Sequence, residues 1–161
     1  MEKARRGLFW GLIVVSLALV LAISALTDWR LTGERPNVWF YLTVPVVSVL
    51  GDTLGAWGTA RLFREALSPW RVLAIMLGVN IWMQCAEVLE KLLYHTLWHY
   101  PGMLYLGVNL ALALGLAAFG FRRYAGQRRR VAWAMSVAAS ICSLLLGGLF
   151  VSLTGLQTPG S

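Results

Sequence analysis

Four polar residues, Asn80, Gln84, Glu87 and Lys91, recur at intervals of 4, 3 and 4 in an otherwise apolar stretch. At 3.6 residues per helical turn that spacing gathers them into one narrow stripe, which Trp98 continues if the helix persists. Lipid would not tolerate such a stripe, so it must face other helices or water. Glu87 and Lys91 stand four apart in the favourable order, and pairing would lower the cost of both charges.

Asp52 is the second acidic residue set inside an apolar stretch, among the glycines Gly51, Gly55 and Gly58. Counting about 1.5 Å per residue puts it roughly 10 Å above the cytoplasmic boundary, with Asn80 slightly higher. A contact between Asp52 and Asn80 across antiparallel helices is expected, with Glu87 higher, within reach of Asn109. Asp52, Asn80, Gln84, Glu87, Lys91 and Asn109 together sketch a path for a proton, a cation or a small polar solute. Ionisable side chains at membrane depth point to such a role by default, whereas the amides also serve as hydrogen-bonding glue between helices.

His95 and His99 are the two histidines, four apart and just before Pro101. Their spacing places two imidazoles on one helix face, the arrangement that can share a metal. A third ligand is harder to find. Lys91 occupies the matching position one turn earlier, and Glu90 is turned about 140° from His95. Asp28 or Glu34 could supply a carboxylate, while the alternative is a pair of interfacial histidines among Tyr94, Trp98 and Tyr100.

Other chemistries are excluded by type and spacing. Bis-histidine haem across a bundle needs ligands on different helices, and both lie on one. There is no HExxH, no P-loop and no CxxC. Both histidines lie at the outer edge with no serine obviously near them, which disfavours a Ser–His pair. Asp52 and Glu87, about 15 Å apart in depth, are too distant to act as a carboxylate pair.

The elements that must hold these residues follow from hydropathy. The chain has 161 residues, 58% of them hydrophobic and 13% charged. Soluble domains carry about 25% charged residues, so this composition cannot clothe a water-facing surface. Apolar runs near 8–27, 38–59, 72–92, 103–121 and 131–154 each approach the roughly 20 residues that a membrane-crossing helix needs. The expected fold is an all-α integral membrane protein, a single domain over 1–161 with about five transmembrane helices. Eleven of the fourteen Lys and Arg residues fall on one side of these runs. The positive-inside rule then puts the N-terminus in the cytoplasm and the C-terminus outside, in the plasma membrane.

Local features refine the picture. Ala22-Ile23-Ser24 resembles a signal-peptide cleavage site, but we read the first run as an anchor. Pro45 interrupts the second run, where Thr43 or Ser48 could satisfy freed carbonyls. Small residues mark packing seams: Gly51, Gly55 and Gly58, then Gly107, Ala111 and Gly115, then Ser136, Ser140, Ser143 and Gly147. Cys85 and Cys142 read as small packing residues. Arg122, Arg123, Arg128, Arg129 and Arg130 could bind anionic lipid headgroups, or serve topology alone. A net charge of +7 would suggest nucleic acid in a soluble protein, but no soluble segment is long enough to form a binding module.

The sequence names no cofactor. Its leading functional reading is a membrane protein that binds or passes a proton, cation or small polar solute along helices two to four, as a homo-oligomer if it is a transporter. A non-catalytic accessory or assembly subunit of a membrane complex comes second. An enzyme acting on a lipid or quinone at the outer interface, through Glu87, Glu90, His95 and His99, comes third.

Overall fold

In a computed structural model the described residues are 2–33, 35, 37–97 and 102–156, with side chains described over 7–93 and 107–156 within these limits. They form five helices and no strand: α1 Glu2–Thr32, α2 Val38–Leu62, α3 Pro69–Leu97, α4 Gly102–Tyr124 and α5 Arg129–Thr154. Each expected span lies inside one helix. The helices run past the apolar runs because a backbone near the membrane surface still gains by bonding to itself. Four of them, α1, α2, α3 and α5, are long and apolar enough to cross a membrane. α4 has 23 residues, which is about 34 Å of helix.

Helix boundaries have local causes. The Asn37 side chain accepts from the Trp39 amide and caps α2. Gly155, in the left-handed region at φ 63°, closes α5 through a bond from its amide to the Val151 carbonyl. Pro45 lies inside α2, and Thr43 does not relieve it, because its hydroxyl donates to the Trp39 carbonyl at 2.6 Å.

α2 and α5 form the closest pair. A Cβ built on Gly55 would stand 2.4 Å from the Ala138 carbonyl oxygen, and one on Gly51 would stand 2.9 Å from that of Cys142. Backbones this near are possible only where one partner has no side chain. Ser136, fully buried on α5, donates to the Leu114 carbonyl of α4 at 2.7 Å. Two expected seams therefore meet each other, and part of a third stays unused. Gly58, Gly107 and Gly115 face open space.

The buried apolar cluster gathers at the end of the bundle where α2 and α4 finish and α3 and α5 begin. Ala60, Val72, Ala117, Phe121, Ala132 and Met135 meet there. α1 lies outside this cluster and packs mainly on α3, with a smaller contact to α2.

Candidate functional site

At the opposite end of the bundle the polar residues converge. Lys91 on α3 is the centre, its Nζ 2.8 Å from Asp28 Oδ1 and 2.9 Å from Glu87 Oε1. Glu87 reaches it along the same helix face, four residues earlier, as the spacing suggests. Asp28 reaches it from the last part of α1, and its second oxygen accepts a hydrogen bond from the Tyr41 hydroxyl of α2. Three helices are thus tied by one ammonium and two carboxylates. The side chains are half-buried, Asp28 at 14%, Lys91 at 27% and Glu87 at 34% of full exposure.

A second polar contact lies beside the first. Glu90, one turn along α3 from Glu87, accepts from Asn109 Nδ2 of α4 at 2.8 Å. The acceptor expected for Asn109 was Glu87. The difference comes from helix rotation, since Glu87 turns toward α1 while Glu90 faces α4. A shallow groove between α1 and α3 runs nearby, apolar apart from Thr27 and Arg30.

Asp52 sits elsewhere. It is buried in α2 on the side that faces Ser143 of α5. Asn80 was its expected partner. Instead Gly51 and Gly55, on the same turns as Asp52, draw that face of α2 against α5. Asn80 keeps a buried Oδ1 with no hydrogen-bond partner, and Gln84 is half-buried between Asn80 and Glu87 in the sequence. The residues of the expected path therefore fall into two groups, the network around Lys91 at one end and Asp52 beside Ser143 nearer the middle. No ion pair joins Asp52 to a cation among the described residues.

The metal expectation rested on His95 and His99. The His95 side chain and all of His99 lie outside the described residues, as does Glu34. Among the described residues no three metal-ligating side chains converge. Cys85 and Cys142 are both free.

Sequence reasoning ended the first span at Thr27, just before Asp28, and gave Tyr41 no role. Their signal was indirect. A lysine inside an apolar helix needs more counter-charge than one neighbour on its own helix, and Asp28 is the acid nearest in depth on another one. No family model, curated protein or solved structure matches this chain.

Proposed function

We propose that this chain is a five-span protein of the plasma membrane, N-terminus inside, that binds or passes a proton or a small cation. The observation that carries this reading is an excess of acid over base among the buried and half-buried side chains of the described helices. Asp28, Glu87 and Glu90 share one end of the bundle with a single half-buried base, Lys91, since Arg30 there is exposed, and Asp52 lies deeper beside Ser143. Charge inside a low-dielectric bundle is costly, so an uncompensated negative balance favours protons and cations over anions. Half-exposed Glu87 and Lys91 would form the outer mouth, and Asp52 the deeper acceptor. Asn80, Gln84 and Asn109 would supply neutral ligands.

The test is reconstitution into vesicles with a pH-sensitive or cation-sensitive dye, comparing wild type with Asp52→Asn and Glu87→Gln. Both variants should fold, with Glu87→Gln the less stable because Lys91 loses a partner. Asp52→Asn should lose whatever flux the wild type shows. If Asp52→Asn matches wild type in flux and stability, the proposal fails.

One observation favours a second reading, that of an accessory subunit in a larger membrane complex. Gly107 and Gly115 on α4 face open space, unlike Gly51 and Gly55. Small residues without an internal partner suit a helix from another chain. Retention of a stoichiometric partner after mild detergent extraction would support it.

A further inference from the structure

The end of the molecule away from Lys91 carries a charged surface that ion handling does not use. The turn between α2 and α3 holds Arg64, with Arg61 in the last turn of α2 and Arg71 in the first turn of α3, and the loop between α4 and α5 leads into Arg128–Arg130; all six are exposed. Glu65 is the single acidic residue in either loop. The two loops are one surface because their bases are packed together. Leu67, from the middle of the first loop, is buried against the cluster that contains Phe121 and Val131, which flank the second. Arg61 stacks over the Trp57 ring, its guanidinium carbon 5.1 Å from the ring centre.

Arg64 is the informative member. Its φ is +58°, the left-handed region where a side chain costs energy and glycine is favoured. The turn is held by bonds from Arg64 N to the Arg61 carbonyl and from Glu65 N to the Ala60 carbonyl. The other described left-handed positions, Gly33, Gly126 and Gly155, are all glycine. Topology asks for positive charge anywhere in a cytoplasmic loop and does not require it at a strained position. The strained turn thus presents an exposed guanidinium, open to a ligand, where a glycine would be easier.

We propose that these loops form one binding surface for anionic phospholipid headgroups of the leaflet they border. Charge selects phosphate, which guanidinium groups hold with paired hydrogen bonds. The neighbours select lipid over a soluble polyanion. Leu62 is 84% exposed and Trp70 68% exposed beside these arginines, and such apolar side chains settle at the boundary of headgroup and acyl chain.

The experiment uses the full chain in nanodiscs of phosphatidylcholine with and without one fifth phosphatidylglycerol, followed by native mass spectrometry of retained lipid. Wild type should hold phosphatidylglycerol at several-fold excess over its share of the bilayer, and high salt should lower that excess. Arg64→Gly removes the guanidinium and relieves the backbone, so it should melt higher yet hold at least two-fold less phosphatidylglycerol. Arg128→Gln/Arg130→Gln should lose a similar amount while leaving the melting temperature unchanged. Lipid retention at the bulk ratio in wild type would overturn the proposal. So would an Arg64→Gly variant that melts higher and retains lipid as wild type does, or tighter binding of a soluble acidic peptide than of phosphatidylglycerol at equal charge.

Discussion

The two ends of this bundle hold together by opposite means. Where α2 and α4 finish, Ala60, Ala117 and Ala132 let four helices close around Phe121 and Met135, and no described ion pair takes part. Where α1 finishes, the helices meet through Asp28, Tyr41, Glu87 and Lys91, none of them as deeply buried as Phe121. In lipid there is no hydrophobic force between helices, so association must come from close packing or from polar bonds. This molecule uses each at a different end. The packed end is intolerant of added volume, and the polar end is intolerant of a missing partner.

The largest effect should come from adding one methyl group on the packed side. Gly55→Ala would put a Cβ 2.4 Å from a backbone oxygen of α5, and backbone cannot rotate aside. A loss of about 3 kcal/mol or more is expected, read as a fall in thermal stability in detergent. Gly107→Ala on α4, where nothing lies within 4 Å, should leave stability unchanged. Equal behaviour of the two variants would erase the distinction between used and unused seams.

Next comes subtraction at the polar end. Lys91→Met leaves the Asp28 and Glu87 carboxylates facing each other without a cation. Breaking a buried pair costs about 3–5 kcal/mol, and the partial exposure here reduces that to about 2 kcal/mol. Adding Asp28→Asn and Glu87→Gln should restore part of the loss, which a double-mutant cycle would show as coupling. Strict additivity would mean that the three side chains do not act together.

The smallest effect belongs to a hydroxyl. Tyr41→Phe removes the donor to Asp28 and leaves Lys91 in place. About 1 kcal/mol is expected, and the loss should vanish in the Asp28→Asn background if the pair is what matters.

The contrast also explains what was legible beforehand. Apolar runs located all five helices, because backbone in a membrane has few options other than helix. The Glu87–Lys91 pair was legible too, being set by spacing within one helix. Partners on other helices were harder. Thr27 ends the apolar run, but the hydrogen-bonded helix continues to Thr32, which carries Asp28 into the bundle. Asp52 was aimed at Asn80 on grounds of depth alone. The glycines on either side of it chose its neighbour, since close approach to the serine-rich seam of α5 outweighs one polar contact. Depth is written in the sequence. Helix rotation is decided by packing, and it becomes visible only when two small-residue seams are matched to each other.

The bond between Asp28 and Lys91 also sets a timetable. Asp28 is made early, yet Tyr41 follows 13 residues later and Lys91 follows 63 residues later. At a synthesis rate of about 5–20 residues per second, Asp28 waits roughly 3–13 seconds for its cation. During that interval α1 has neither ion pair nor core contact to keep it in place. The nascent chain must therefore hold the C-terminal end of α1 near the headgroups, or against the insertion machinery, until α3 arrives. A defect in Lys91 should accordingly lower yield during biogenesis in living cells by more than its stability loss in the purified protein accounts for.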